Sequence, residues 1–296
     1  MELCFDSLHG LSVGDAMGAQ FFVPGTSFPD LVAGRAPDSP WPWTDDTEMA
    51  CSVVTVLGVN GAIDQDDLAA AFAEHFEPYR GYGGGAVQIL RQIRNGTGWR
   101  EASRAAFGGQ GSMGNGAAMR VAPIGAFHAE SPTTAALDAV RSAEVTHVHP
   151  EAVLGAVGVA VAAASAGQAR HNGVRPAPSA ILDAVLDHLV DSRVKAGVEA
   201  AQRLLGATVA EAAYLLGNGS QVLAQDTVPF TLWVAATYLD DYRSAILACI
   251  GAGGDVDTTA AIVGGVVATY TGRDGIPLDW RTSREPLPDF VTSPFA

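Results

Sequence analysis

Three cysteines in 296 residues, Cys4, Cys51 and Cys249, are too few and too scattered for a disulfide framework. They read as small buried apolar residues, and the expected setting is the reducing cytoplasm. Positive charge is also scarce. Seventeen Lys and Arg stand against 32 Asp and Glu, a net charge of −15 with a pI near 4.7. That balance argues against a sequence-independent grip on nucleic acid or on an anionic membrane surface. The opening residues, Met1-Glu2-Leu3-Cys4-Phe5-Asp6, carry neither the basic stretch nor the apolar run of a signal peptide. The Ala- and Val-rich run from Ala152 to Ala166 falls short of the roughly 18 apolar residues of a membrane span, so none is expected. Strand-like alternation between hairpin turns is nearly absent, and no repeat of 20–50 residues is visible.

What the chain has in abundance is helical periodicity and alanine. Apolar residues recur at three- and four-residue spacing over about 3–19, 46–59, 65–76, 84–95, 116–127 and 150–166. The pattern continues over about 178–192, 195–205, 208–216, 228–238, 241–250 and 257–271. Short breakers separate these segments, and none is long enough to link two domains. The expectation is one all-α domain over residues 1–296, large enough to bury about 75% of its unfolded surface without cross-links. A monomer is the default.

Two breakers, Gly81 to Gly85 and Gly108 to Gly116, hold more glycine than a helix end requires. Glycine clusters serve either as flexible connections or as cradles whose backbone approaches a phosphate closely. Neither matches a Walker loop or a strand-borne dinucleotide fingerprint.

Two acidic clusters each precede an apolar helical run. The first is Trp41-Pro42-Trp43-Thr44-Asp45-Asp46-Thr47-Glu48, and the second is Gly253-Gly254-Asp255-Val256-Asp257-Thr258-Thr259. As caps, Asp45 with Glu48 reads as a capping box and Asp257 as the cap of its own helix. Carboxylates two apart on a helix diverge by about 200°, so Asp255 and Asp257 converge only if Asp255 sits in the preceding glycine turn. The alternative is that two Asp-Asp-Thr sets supply the oxygen ligands hard divalent cations favour, with room for a pair of Mg²⁺ ions.

On six ordered stretches the chain resembles the ADP-ribosylglycohydrolases, the family of dinitrogenase-reductase-activating glycohydrolase and the vertebrate ADP-ribosylhydrolases. They are Gly10-Leu11-Ser12-Val13-Gly14-Asp15-Ala16-Met17-Gly18 with Trp43-Thr44-Asp45-Asp46-Thr47, then Arg80-Gly81-Tyr82-Gly83. Gly111-Ser112-Met113-Gly114-Asn115-Gly116-Ala117-Ala118-Met119-Arg120 with Pro123 follows. Thr146-His147 with His149-Pro150, and Gly254-Asp255-Val256-Asp257-Thr258, complete the set.

The resemblance implies an orthogonal helical bundle with a binuclear Mg²⁺ centre, Mn²⁺ being a possible substitute. Its ligands by motif match are Thr44, Asp45, Asp46, Asp255, Asp257 and Thr258. It implies that Gly81, Tyr82, Gly83 and Gly84, together with Gly111, Ser112, Met113, Gly114, Asn115 and Gly116, bind ADP-ribose, with His147 beside the nucleotide. The implied reaction is hydrolysis at the anomeric carbon of an ADP-ribosylated substrate, with Asp45 or Asp46 as base and a slight preference for Asp46.

Two departures from the family pattern stand out. Gln20-Phe21-Phe22-Val23 lacks the Glu of serine-specific relatives, which favours an arginine-linked or other acceptor. Met113 replaces the Tyr that some relatives stack on adenine, which promotes Phe107 as the stacking candidate. Two rival functions share the acidic sets: a two-metal phosphoesterase acting on nucleotide derivatives, and a catalytically silent relative that binds ADP-ribose or serves structurally, like the jellyfish lens crystallins. Asp15 reads chiefly as a backbone-bonding acid near the metal site, Arg120 as a loop anchor or acid partner, and Trp41 and Trp43 as packing.

Overall fold

The computed structural model describes residues 1–291; residues 292–296, the end of the expected 1–296 unit, lie outside the described residues. In chain order the helices are α1 (Glu2–Ala19), α2 (Phe28–Val32), α3 (Asp45–Asn60), α4 (Gln65–His75), α5 (Gly84–Arg94), α6 (Trp99–Gly109), α7 (Ala122–Phe127) and α8 (Pro132–Glu144). They continue as α9 (Pro150–His171), α10 (Pro178–Leu186), α11 (Arg193–Arg203), α12 (Val209–Leu216), α13 (Ala224–Thr237), α14 (Tyr242–Ala252), α15 (Val256–Thr271) and α16 (Leu278–Ser283). No β-sheet forms among the described residues, and the all-α class stands.

The centre of the fold is the pairing of α1 with α15, and glycine makes it possible. A Cβ on Gly14 would lie 2.1 Å from the Ala260 carbonyl oxygen. One on Gly10 would lie 2.3 Å from Gly264 O, and one on Gly18 2.6 Å from the Cα of Asp257. The partners run backwards as the α1 residue advances, so the helices are antiparallel with backbones in direct contact. The four-residue spacing of Gly10, Gly14 and Gly18 puts all three on one helix face. Glycines of the first motif therefore act in packing, and they bring the C-terminal end of α1 against the first turn of α15.

Helix α9 lies against α7, α8 and α15. It is long and apolar enough to cross a membrane, yet 72% of its most apolar window is buried within the fold. Composition alone does not separate such a core helix from a span.

Several boundaries differ from the periodicity. The 116–127 segment is a single turn of 3-10 helix at Asn115–Ala117 followed by α7, because Asn115 and Arg120 turn inward to make long-range hydrogen bonds. The 178–192 segment stops at Leu186, and Ser192 instead caps α11, accepting from the Lys195 amide at 3.0 Å. Helices α2, α6, α8 and α16 lie outside the periodic segments. Yet Ser131 caps α8 with Pro132 in its first turn, a legible start signal.

Candidate active site

Helices α3, α5, α13 and α15 all begin at the rim of one cavity of about 760 Å³. Helix N-termini present unpaired N–H groups and a partial positive charge, which suits both carboxylates and phosphates. No Lys or Arg lines this cavity among the described residues.

Helix α3 starts at Asp45 because Thr44 is extended, with φ −111° and ψ −167°. Its first turn is held from outside: Asp15 of α1 accepts from the Thr44 amide at 2.9 Å and the Thr44 hydroxyl at 2.8 Å. Asp15 also accepts from the Thr47 amide and hydroxyl. The capping box expected from Asp45 and Glu48 therefore does not form, since a carboxylate from another helix takes that role. Glu48 is buried and accepts from Tyr82 Oη at 2.6 Å and the Glu77 amide at 3.0 Å.

Helix α15 starts after Gly253 and Gly254, both left-handed, with φ 67° and 80°. That turn places Asp255 before the helix, where it faces the same cavity as Asp257. Neither caps across the turn: Asp257 Oδ1 accepts from the adjacent Thr258 amide at 2.8 Å, and Asp255 Oδ2 accepts from Asn115 Nδ2 at 2.7 Å.

One oxygen each from Asp15, Asp46 and Asp257 lie within 4.8 Å of one another. Burial, reinforced by the Asp15 carboxylate, pushes Asp45 up to about 8. Asp46 and Asp257 are raised well above the usual carboxylate range by the same burial and by neighbouring acids. Asp15 rises only to about 6, because its four donors oppose its burial. Asp46 Oδ1 is buried and has no hydrogen-bond partner among the described residues, while Asp46 Oδ2 accepts from Thr44 Oγ1 at 3.0 Å. A buried, unpartnered oxygen among repelling carboxylates is costly unless protons or a cation neutralise it. Oxygen donors of this kind suit a hard divalent ion.

Gly81, Gly83 and Gly84 line the cavity together with Asp45, Asp46, Asp255, Asp257 and Thr258. Gly111, Ser112, Met113, Gly114, Asn115, Gly116, His147 and Phe107 line it as well. Two expected residues lie behind this lining. Tyr82 points the opposite way from its glycine neighbours, so that its ring is buried on Glu48 and Phe76. Thr44 bonds Asp15 and Asp46 instead of facing the open space.

Phe107 is 62% exposed at the rim in a left-handed conformation, φ 53° and ψ 44°. Gly85 lets its ring lie close against the start of α5, since a Cβ there would sit 2.9 Å from the ring. Burial, aided by Arg120, pushes His147 down to about 3, so it is neutral. His149, the other member of the pair, accepts from the Glu151 amide and caps α9. Arg120 anchors a loop, donating to Ser142 O at 2.7 Å and Gly116 O at 3.3 Å, and forms no ion pair among the described residues. Trp41 and Trp43 are buried as expected.

Sequence reading missed the third wall. Val222 and Leu223 close the cavity from the 217–223 loop, and Val222 has φ 57°, a conformation β-branched residues rarely adopt. The Gly217-Asn218-Gly219 run was the available signal. Gly219 lets that loop press on Asp255, its hypothetical Cβ lying 2.7 Å from the Asp255 Cβ.

The chain is similar to known proteins of one family. The family described as ADP-ribosylglycohydrolase matches residues 3–292. ADP-ribosylhydrolase ARH3 of Homo sapiens is 29% identical, the alignment covering 94% of this chain and 88% of the relative. ADP-ribosyl-[dinitrogen reductase] glycohydrolase of Rhodospirillum rubrum is 26% identical over 92% of this chain and 86% of its own. A solved ADP-ribosylglycohydrolase-related protein shares the fold at a TM-score of 0.70 and 24% identity, covering 96% of this chain and 92% of its own. With its acidic helix starts facing two glycine loops across one cavity, the chain belongs to the ADP-ribosylglycohydrolase family, enzymes that hydrolyse the glycosidic linkages of ADP-ribose.

Proposed function

We propose that this cavity cleaves ADP-ribose from an acceptor with the help of two Mg²⁺ ions, Mn²⁺ being a possible substitute. The observation that carries the reading is Asp46 Oδ1, buried and unpartnered in a cluster with Asp257. Thr44, Asp45, Asp46, Asp255, Asp257 and Thr258 are the proposed ligands, and Asp15 holds Thr44 and the first turn of α3 in place behind them. When bound, the cations supply Lewis-acid polarisation of ribose and water oxygens and keep the carboxylates ionised.

The chain's own residues do the rest. Asp45, half-buried on the cavity side whereas Asp46 is buried, is the proposed acceptor of the proton from the attacking water, in place of the slight preference for Asp46. The clustered carboxylates face the ribose, where positive charge develops at the anomeric carbon in the transition state. Backbone amides at the start of α5 and in the Gly111–Gly116 loop bind the diphosphate, with His147 beside it. Phe107 and Met113 cover the adenine.

The acceptor is proposed to be arginine. An ADP-ribosylated guanidinium is cationic, is attracted to an acidic site, and departs as a neutral guanidine without an added acid. The Gln20–Val23 stretch supplies no carboxyl to protonate a serine alkoxide. We further propose that residues 1–296 act as one domain, a cytoplasmic monomer that binds neither nucleic acid nor membranes, supported by the −15 charge and three buried free cysteines.

Turnover of ADP-ribosyl-arginine, ADP-ribosyl-serine and O-acetyl-ADP-ribose, each with Mg²⁺ and with EDTA, tests the reading. Mg²⁺-dependent release from the arginine conjugate at the highest rate is expected. Exclusive turnover of the serine conjugate would overturn the acceptor assignment, and full activity in EDTA would overturn the cation assignment.

A further inference from the structure

Behind the cavity wall a chain of three polar residues ends on the one imidazole that faces the cavity. Arg120 is fully buried and donates from Nη2 to Thr146 Oγ1 at 3.0 Å. Thr146, also fully buried, lies with Oγ1 2.7 Å from His147 Nδ1. His147 Nε2 makes no hydrogen bond to the described residues and points toward Gly114 and Gly116, 3.1 Å from where a Cβ on Gly116 would stand.

Hydrogen-bond polarity fixes how this chain runs. A guanidinium only donates, so Thr146 Oγ1 is the acceptor in the first link. The Thr146 hydroxyl then has one proton to place, and His147 Nδ1 is its sole acceptor within reach among the described residues. Were Nδ1 protonated instead, the hydroxyl proton would be buried without a partner, a cost of the size that native folds avoid. Nδ1 therefore accepts, and the neutral ring carries its proton on Nε2.

We infer that Arg120 and Thr146 are positioning residues that lock His147 as an Nε2–H donor aimed into the cavity. Resting on the reading of this cavity as an ADP-ribose site, the donor's partner is an anionic oxygen of the diphosphate. The arrangement gives the cavity a fixed hydrogen-bond donor without placing a cationic side chain in its lining. Burial, together with the Arg120 charge, keeps His147 unprotonated across the neutral range, which agrees with a donor of fixed tautomer.

Ring ¹⁵N shifts of His147, measured in ¹⁵N-histidine-labelled, ligand-free protein, test the tautomer directly. A protonated Nε2 with an unprotonated Nδ1 is expected in the wild type. Thr146→Ser should preserve that pattern and keep ADP-ribose affinity within about twofold. Thr146→Val should shift the ring toward the Nδ1–H form and weaken ADP-ribose binding about tenfold, the equivalent of roughly 1.4 kcal/mol. An Nδ1–H ring in the wild type overturns the inference, even if Thr146→Val fails to fold, and so does a Thr146→Val protein with unchanged shifts and affinity. Absence of any ADP-ribose binding in the wild type, with the Nε2–H form observed, would instead count against the proposed function and leave the tautomer assignment standing.

Discussion

Asn115 Nδ2 donates to Asp255 Oδ2 at 2.7 Å, joining the second glycine loop to the start of α15 across 140 residues of sequence. The same nitrogen reaches Thr227 Oγ1 at 3.1 Å in the first turn of α13. One amide thus orients a proposed cation ligand and ties the diphosphate loop to two helix starts.

Asn115→Ala removes this junction and leaves the buried Thr227 hydroxyl and the half-buried Asp255 carboxylate without their donor. Stability should fall by about 1–3 kcal/mol, measurable by urea unfolding, and ADP-ribose binding should weaken in the same variant. Unchanged unfolding would show that the amide is dispensable to the junction.

The α1–α15 contact admits no side chain at Gly14, where a Cβ would meet the Ala260 carbonyl at 2.1 Å. Gly14→Ala is expected to destabilise by about 3 kcal/mol, the upper part of the overpacking range, since backbone cannot move aside as a flexible side chain can. Gly58 in α3 is the control. Its Cβ would meet only Met1 Cε, at 3.6 Å, so Gly58→Ala should stabilise by up to about 1 kcal/mol. Thermal unfolding of the two variants in parallel checks the contrast.

Phe107 combines an exposed ring with a left-handed backbone, and two substitutions separate the two features. Phe107→Ala and Phe107→Gly should both weaken ADP-ribose binding by about 1–3 kcal/mol, the range for a base stacked on an aromatic ring. The glycine variant should be the more stable of the pair by about 1 kcal/mol, because glycine adopts positive φ without penalty. Calorimetric titration and unfolding curves read the two effects independently; unchanged affinity would remove Phe107 from the adenine site.

The carboxylate cluster gives stability a pH dependence whose sign depends on the cation. Asp45 is raised to about 8 in the fold from an ordinary 3.8, so between those values the folded state holds a proton that the unfolded chain has lost. Its contribution is present in full below 3.8 and is lost as pH rises through 8. His147, lowered to about 3 from 6.5, acts in the opposite sense and only below 6.5. In EDTA, raising the pH from 6.5 to 8 should therefore lower Tm. Saturating Mg²⁺ should raise Tm overall and flatten or reverse that slope, since the ions bind the ionised native site. Identical slopes in EDTA and Mg²⁺ would place the cation elsewhere.

Much of this arrangement was legible in the sequence, because glycines and paired acids at helix starts are local signals. The turn at Gly253-Gly254 left room for Asp255 to precede its helix, the condition for its carboxylate to converge with Asp257, and α15 begins accordingly at Val256. What stayed hidden depends on contacts remote in sequence. Asp15, on α1, replaces the local capping box of α3 by reaching 29 residues along the chain to Thr44. Glu48 is drawn away to Tyr82, which in turn removes Tyr82 from the cavity. The 217–223 wall carries no charge, and its role follows only from where α13 and α15 bring it. Gly10, Gly14 and Gly18 were visible as a motif, but that they pack a helix instead of facing a ligand needed the partner helix to be seen.

Product analysis after incubating the protein with ADP-ribosyl-arginine and Mg²⁺ is the most direct test of cleavage at the anomeric carbon. Intact ADP-ribose and free arginine are expected, formed by wild-type protein and lost in Asp255→Ala. Release of AMP or inorganic phosphate, with the ribose–acceptor bond retained, would contradict glycohydrolase chemistry in this cavity.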